Sequence, residues 1–206
     1  MKKNLFLLSF LICLFLLSCA SSNFKSDFSP VYVTNSSKYS LLPPSSMSGE
    51  IDGLQRMTAS FGDKSFDFDV YAISDKKMLS MTVLNEFGTT MASLFYDGSV
   101  LNFDSALFPK KIKAEYIVAD FQFCLYDEVD LKSKLNEIGL DLEFSIENSE
   151  DGKVRETRIL RKKDEKISKI TKISDISVQE TERHIQSIHY ENFLRGYSYT
   201  LTGVES

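Results

Sequence analysis

A strict alternation of apolar and polar side chains constrains the fold more than any other feature of the sequence. Phe66, Phe68 and Val70 alternate with polar positions that include Asp67 and Asp69. Successive side chains of a strand point to opposite faces of its sheet, so this spacing predicts a strand with one apolar face and one solvated face. A chain with many such segments is expected to form an antiparallel sheet whose apolar face is covered.

Alternating segments recur along most of the chain and are separated by turn signals such as Asp97-Gly98. They predict about nine to eleven antiparallel strands, with a meander of about five strands ending near Phe103 and further strands from Leu140 onward. Lys166 to Ser177 carries isoleucine at every third position, which suits neither a regular strand nor a helix. Its β-branched side chains favour a strand.

Two helices are predicted between the two groups of strands. Glu115 to Tyr126 is almost continuously apolar, and its length of about 18 Å is too short to cross a membrane, so we expect a buried helix. A second, amphipathic helix is expected to begin with Asp130 as its N-cap and to end at Gly139. The predicted fold class is therefore mainly β (α+β).

The N-terminal residues resemble the signal peptide of a bacterial lipoprotein. Lys2 and Lys3 precede an apolar run from Leu5 to Leu17, which is shorter than the roughly 20 residues that span a bilayer. Ser18 followed by Cys19 resembles the lipobox of such proteins. The resemblance implies that residues 1–18 are removed and that Cys19 is lipidated with acyl chains such as palmitate.

The same resemblance predicts the location of the protein. Ala20 stands where a retention signal for the inner membrane usually has Asp, which implies the periplasmic face of the outer membrane of a Gram-negative bacterium. With Cys13 removed and Cys19 lipidated, Cys124 is the remaining thiol, so no intrachain disulfide is expected. In its apolar surroundings Cys124 should behave as a small hydrophobic residue.

Residues 19–46 are rich in serine and contain Pro30, Pro43 and Pro44, which predicts a tether leading to one domain over residues 47–206. Whether Val31 to Val33 docks as a short strand stays open at this point. Removing residues 1–18 takes away two lysines and no acid, so the net charge of −5 becomes −7. An acidic chain argues against a nucleic-acid partner and against a basic patch that would recognise a polar head group.

Candidate catalytic residues are few. The sequence contains no nucleophile elbow, P-loop, HExxH or CxxC motif, and it predicts neither a cofactor nor a metal site. His184 and His189 would face opposite sides of one regular strand. Asp120 is either an acid with a raised pKa or, the favoured interpretation, a group that anchors its helix by bonding the backbone or Tyr116. The charged run from Lys153 to Lys172 predicts a solvated face, and we expect no enzymatic activity.

The chain has 16 Phe and 9 Tyr but no Trp, spread over the alternating strands. This apolar face could enclose either a filled core or a cavity for an acyl chain, and filled interiors are more common. The residues expected to line such a cavity are Phe66, Phe68, Val70, Leu84, Tyr116, Phe121, Phe123 and Leu125.

Several short segments are similar to a family of uncharacterised bacterial lipoproteins that resembles the LolA/LolB lipoprotein carriers and is often encoded beside aryl-polyene biosynthesis genes. The resemblance implies an antiparallel half-barrel closed by two or so helices, with an apolar cavity that accepts acyl chains. The matching segments are Leu42 to Ser46, Phe61 to Phe66, Phe87-Gly88, Tyr96 to Gly98, Ala114 to Gln122 and Gly196-Tyr197.

Leu84 to Thr90 is similar to a LolB segment whose leucine lies on a protruding loop needed to deliver lipoproteins into the outer membrane. The resemblance implies that Phe87, followed by Gly88, forms an apolar tip. The alternative is a hairpin turn in which Phe87 folds back onto the sheet.

Taken together, these features predict an outer-membrane lipoprotein that binds or delivers a hydrophobic, acyl-bearing cargo by non-covalent transfer. The cargo would be a lipoprotein, a lipid or an aryl-polyene lipid, and a periplasmic donor carrier is a further partner that the resemblance allows. The alternative is a scaffold or assembly lipoprotein with a filled interior. A third hypothesis is an enzyme acting on lipids through Asp120 or a histidine.

Overall fold

The computed structural model describes residues 28–106, 113–149, 152–176 and 183–204. A short hairpin and a 3-10 turn at Pro44–Ser46 precede ten longer strands, and two helices lie between the fifth and the sixth of these ten strands. The strands are β1 (Val31–Tyr32), β2 (Lys38–Tyr39), β3 (Ile51–Phe61), β4 (Lys64–Ser74), β5 (Leu79–Leu84), β6 (Thr90–Tyr96), β7 (Leu101–Ser105), β8 (Asp141–Asn148), β9 (Lys153–Lys162), β10 (Glu165–Ile176), β11 (Arg183–Asn192) and β12 (Tyr197–Gly203). The helices are α1 (Ala114–Leu125) and α2 (Glu128–Asn136).

Strands β3 to β12 form one antiparallel sheet in the order β7-β6-β5-β4-β3-β12-β11-β10-β9-β8. The edge strands β7 and β8 do not pair with each other, so the sheet is open. This architecture confirms the predicted mainly β fold with two helices, and it is consistent with a half-barrel. The predicted five-strand meander is β3 to β7.

The predicted alternation is visible in β4 and its neighbours. Val70 is fully buried and pairs with Val83 of β5, which is also buried. Asp67 lies on the opposite face, where its Oδ1 accepts a hydrogen bond of 2.6 Å from Thr58 Oγ1. The apolar face of the sheet therefore forms the core and the polar face contacts solvent.

Strand β10 explains the spacing of its first two isoleucines. Its pairing with β9 shifts register between Lys166 and Ser168, which places an extra residue, Ile167, in the ladder. Because of this bulge, both Ile167 and Ile170 are buried although they are three residues apart. The prediction of a strand is confirmed, and the bulge accounts for the spacing of Ile167 and Ile170, whereas Ile173 is on the other face of the strand.

Helix α1 is the buried helix that the apolar run predicted. Its Gln122 is fully buried and connects the helix to the chain before β3. Gln122 Oε1 accepts hydrogen bonds from Tyr39 Oη at 2.7 Å and from the Leu42 nitrogen at 3.0 Å. Its Nε2 donates to the Leu42 oxygen at 2.7 Å, so one side chain binds both backbone groups of Leu42.

The predicted tether over residues 19–46 needs correction. Val31, Val33, Tyr39 and Leu41 are buried in the same core as the sheet, so the packed domain begins before residue 47. The tether was predicted from the many serines and prolines of this segment, but its few apolar residues pack against α1 and the sheet. Residues before 28 lie outside the described part of the chain.

The solvated face predicted for Lys153 to Lys172 holds for most charged side chains of this run, but Glu156, Arg158 and Lys172 are buried and form an ionic cluster. Arg158 Nε lies 2.7 Å from Glu156 Oε1, and Lys172 Nζ lies 2.9 Å from the same oxygen. Arg158 Nη1 also donates to the carbonyl oxygens of Phe123 at 3.2 Å and Tyr126 at 2.7 Å. A cation at the C-terminal end of α1 satisfies carbonyls that the helix leaves unpaired and complements the helix dipole.

Helix α2 begins earlier than predicted. Its N-cap is Asp127, whose Oδ1 accepts from the nitrogens of Val129 at 2.8 Å and Asp130 at 3.3 Å. Asp130 instead lies in the first turn, where an acid is also favourable. Within the described residues, neither α1 nor α2 has the length and apolar character of a membrane-spanning helix.

Replacing Gln122 with leucine should lower the free energy of unfolding by about 1–3 kcal/mol, because the Tyr39 hydroxyl and the Leu42 nitrogen lose their acceptor. The Leu42 oxygen keeps a hydrogen bond of 2.8 Å from Tyr96 Oη. Denaturant unfolding measures the change. Tyr39→Phe removes one of the three bonds and should cost less. An unchanged stability for Gln122→Leu would show that the connection between α1 and the N-terminal segment is not needed for the fold.

Candidate functional site

A cavity of about 470 Å³ lies between helix α1 and the strands β3 to β7 and β12. Its volume is within the range of about 300–1,000 Å³ typical of small-molecule sites. Most of its wall is apolar and comes from the core face of the sheet and from one side of α1. Representative lining residues are Met57, Phe68, Met81, Val83, Ile117 and Phe121.

Two lining residues of the cavity, Phe61 and Arg195, are exposed where β3 turns into β4 and β11 turns into β12, so we infer that the cavity opens at this end of the sheet. Tyr197 pairs with Phe61 in the ladder, so the two turns are adjacent. Phe61 lines the cavity, is 46% exposed, and stacks on the Tyr197 ring at a centroid distance of 5.7 Å. An aromatic pair therefore stands at this opening.

The structure brings three of the eight predicted lining residues to the cavity wall, namely Phe68, Tyr116 and Phe121. Val70, Phe123 and Leu125 are buried in the filled part of the core instead. On α1 the two groups follow one another along the helix, since Tyr116 and Phe121 line the cavity and the last turn, with Phe123 and Leu125, packs into the core.

The other two predicted lining residues lie elsewhere. Phe66 is 42% exposed near the start of β4, and its ring stacks on Phe68 at 6.3 Å between centroids. Leu84 pairs with Asp69 and therefore points to the outer face of the sheet, whereas Val83 beside it lines the cavity. The strand period places one residue of each adjacent pair on the core face, and in β5 that residue is Val83.

Asp120 lies on the cavity wall, one helical turn after Tyr116. It accepts a hydrogen bond of 2.5 Å from Tyr197 Oη, which links α1 to β12. Burial raises the pKa of this carboxyl to about 7, although hydrogen bonds from Tyr197 and Tyr190 and the charge of Arg195 act in the opposite direction. The anchoring partner is thus a strand tyrosine, whereas the sequence suggested Tyr116 or the backbone.

Aromatic residues of β11 and β12 pack behind Asp120. Tyr199 stacks on Tyr190 at 5.1 Å and on Phe121 at 6.1 Å between ring centroids. Cys124 is buried, with its Sγ 3.6 Å from Tyr199 Oη, and burial raises the pKa of its thiol to about 12. A thiol held protonated in this way has the character of a small hydrophobic residue.

Two cations on the cavity wall were not predicted from the sequence. Lys113 is the N-cap of α1, and Arg195 lies in the turn between β11 and β12. They are 82 positions apart in the chain and belong to no motif. Their proximity to one cavity depends on the path of α1 across the sheet, so no sequence signal could have shown it.

The loop between β5 and β6 exposes Phe87, whose side chain is 82% accessible to solvent. Asn85 Oδ1 accepts from the nitrogens of Phe87 at 3.0 Å and Thr89 at 2.9 Å, which orders the loop. Gly88 has φ +76°, a conformation that favours glycine. The alternative in which Phe87 folds back onto the sheet is therefore wrong, while its role in delivery stays a prediction.

The histidines lie away from the cavity. Both are exposed, and the pairing of β10 with β11 skips Gln186 between His184 and His189. This bulge places both on the outer face, so the prediction of opposite faces, which assumed a regular strand, was wrong. Among the described residues, no group of three or more His, Cys, Asp or Glu side chains could hold a metal ion.

Residues 53–205 match the protein family described as "Protein of unknown function (DUF3261)". The chain belongs to the DUF3261 family. The match includes both helices and nearly the whole ten-stranded sheet, and with them the cavity wall. The search of curated proteins finds no match to this DUF3261 chain. Cys19, the predicted lipidation site, lies outside both the match and the described residues.

Asp120→Asn should flatten the pH dependence of stability. The pKa of Asp120 is raised in the folded state, so the native chain binds more protons than the unfolded chain between about pH 4 and 7. The contribution of Asp120 to stability is therefore greatest below about pH 4 and falls as pH rises toward 7, with a slope on the order of 1 kcal/mol per pH unit. Urea unfolding from pH 4 to 8 measures it.

The matched control is Asp104→Asn, which changes an exposed carboxylate on β7 outside the cavity wall. It should leave the slope of the wild-type profile unchanged. If Asp120→Asn keeps the full wild-type slope, another group is responsible for it.

Proposed function

We propose that this DUF3261 protein is a LolB-like outer-membrane lipoprotein, anchored through Cys19, that binds or delivers a hydrophobic, acyl-bearing cargo without covalent chemistry. The observation that carries the proposal is the apolar cavity between α1 and the sheet. Removing hydrocarbon from water contributes about 0.8 kcal/mol per CH₂ group, so an acyl chain would have a strong preference for such a space over the periplasm.

The exposed tip supports delivery at a membrane surface. Phe87 and the Phe61 opening of the cavity lie at the same end of the sheet, because β3 and β5 run in the same direction and both precede turns at that end. A large apolar side chain held in an ordered, exposed loop gains free energy by entering an apolar environment. A lipid anchor at Cys19 would bring this end within reach of the bilayer.

The interior favours a carrier over the alternative of a scaffold. A scaffold with a filled half-barrel would need no ligand-sized space, whereas the first half of this sheet leaves about 470 Å³ beside α1. If an Asp120→Asn, His184→Ala, His189→Ala variant still binds and transfers its cargo, this result would argue directly against an enzyme.

Binding can be tested on the chain from Ala20 onward, since every buried side chain that the structure describes lies between Val31 and Leu201. Cooperative thermal unfolding verifies that this chain is folded. A fluorescent fatty acid should bind it saturably. Ala92→Leu, which adds carbon atoms to the cavity wall, should weaken binding by about tenfold.

The control for the Ala92→Leu variant is Asn102→Leu, which places the same side chain at an exposed position of β7 outside the cavity wall. It should bind the fatty acid as the wild type does. No saturable binding by the folded wild-type chain would refute the carrier proposal.

Phe87→Glu should slow transfer of the bound fluorescent fatty acid to lipid vesicles by about tenfold while leaving binding and thermal stability unchanged, because a charged tip enters the bilayer poorly. Val129→Glu is the matched control, since Val129 is 73% exposed on α2. Equal transfer rates for the wild type and Phe87→Glu would exclude the tip from delivery. A large loss of stability would instead assign Phe87 a structural role.

A further inference from the structure

The cations on the cavity wall indicate the chemical class of the cargo. We propose that the cavity binds an amphiphile with an anionic head group, a carboxylate or a phosphate, which is held by Arg195 and Lys113 at the opening while the hydrocarbon chain occupies the apolar interior. This inference rests on the proposed function and specifies its ligand.

Arg195 is held in place before any ligand binds. Its guanidinium lies 4.9 Å from the centroid of the Tyr116 ring, and Nη2 donates to the carbonyl oxygen of Tyr32. Its backbone nitrogen donates to Asn192 Oδ1 at 2.9 Å. A guanidinium has five N–H donors in a planar array, so several remain for the oxygens of a carboxylate or phosphate.

Lys113 places a second positive charge at the same cavity. As the N-cap of α1 it stands where the helix leaves its first N–H groups without intrahelical partners, and no side-chain cap bonds them. The positive end of the helix dipole therefore has the same sign as the lysine. Within the described residues, neither Lys113 nor Arg195 forms an ion pair.

The acid on the cavity wall does not cancel these two charges. Asp120 faces Tyr190, Tyr197 and Arg195, and its raised pKa of about 7 keeps much of it protonated near neutral pH. Its carboxyl is already occupied by the bond from Tyr197 Oη. The ionisable wall is therefore net positive at or below pH 7, although the whole chain has a net charge of −5.

An uncharged head group would gain little from the two cations on the cavity wall. The cavity wall combines two cations and a helix N-terminus with an otherwise largely apolar lining, which matches a molecule with one anionic end and one hydrocarbon chain. A cationic head would be repelled by the two side chains. The charge at the opening thus selects among amphiphiles of equal chain length.

Displacement of a bound neutral fluorescent alkyl probe at pH 6.5 tests the proposal on the chain from Ala20 onward. The competitors are palmitate, the alcohol of the same chain length, its phosphate monoester and its trimethylammonium analogue. We expect at least one anionic competitor to displace the probe at about tenfold lower concentration than the alcohol, with the ammonium weakest. The better of palmitate and the phosphate then identifies the head group.

Two variants locate the charge effect. Arg195→Gln and Lys113→Gln should each raise the concentration of anionic competitor needed to displace the probe by about tenfold. The concentration of alcohol needed should stay the same. Lys113→Gln disrupts no hydrogen bond among the described residues, so it remains informative if Arg195→Gln is unstable. Arg155→Gln removes an exposed arginine of β9 outside the cavity and is the control.

The outcomes separate this inference from the proposed function. Equal displacement by all four competitors, or a preference for the ammonium, overturns the anionic head group and leaves the carrier proposal standing. Failure of the neutral probe itself to bind saturably overturns both. Loss of anion selectivity in both variants but not in Arg155→Gln supports the assignment.

Discussion

The structure depends on how one apolar helix covers an open sheet. Ten strands at a spacing of roughly 4.8 Å extend about 43 Å across the sheet, whereas a helix of 12 residues is about 18 Å long. Helix α1 therefore cannot cover the whole apolar face. One side of the interior is filled by its last turns, by α2 and by the N-terminal segment, and the space beside its first turns is the cavity.

Polar side chains fix the position of this apolar helix. Gln122 binds the Leu42 backbone, Asp120 accepts from Tyr197 on β12, and Arg158 on β9 bonds the carbonyls at the C-terminal end of the helix. Apolar packing is non-directional, so these bonds set where along the sheet the helix lies. The cavity and its charged opening exist because α1 is held in this position.

Burial gives these polar groups different properties. The Glu156 carboxylate, although burial opposes its charge, has a pKa held below its usual value by Lys172 and Arg158. Asp120 has no ion-pair partner among the described residues, and burial raises its pKa instead. The first group is a fixed charge that holds structure together. The second changes charge near neutral pH beside the cavity, where a change in charge alters what the cavity can bind.

Some local features were predicted correctly from the sequence, and others were predictable from it but were missed. The period of two in β4 and the apolar run of α1 correctly predicted their structures, since each depends only on neighbouring residues. The same period places Glu156 and Arg158 on one face with Val154 and Leu160, so their burial was visible in the pattern. We did not predict this burial because charged runs are generally expected to be solvated.

By itself, the sequence determined the mainly β class, the two helices and the apolar character of one sheet face, because these depend on side-chain period and local turn chemistry. Only the tertiary structure decided which apolar residues line a space and which fill it. Phe68 and Val70 share a face of one strand, yet the first lines the cavity and the second is in the filled core. That difference depends on which distant segments pack against each position of the strand, and the same tertiary packing brings Lys113 and Arg195 to one cavity.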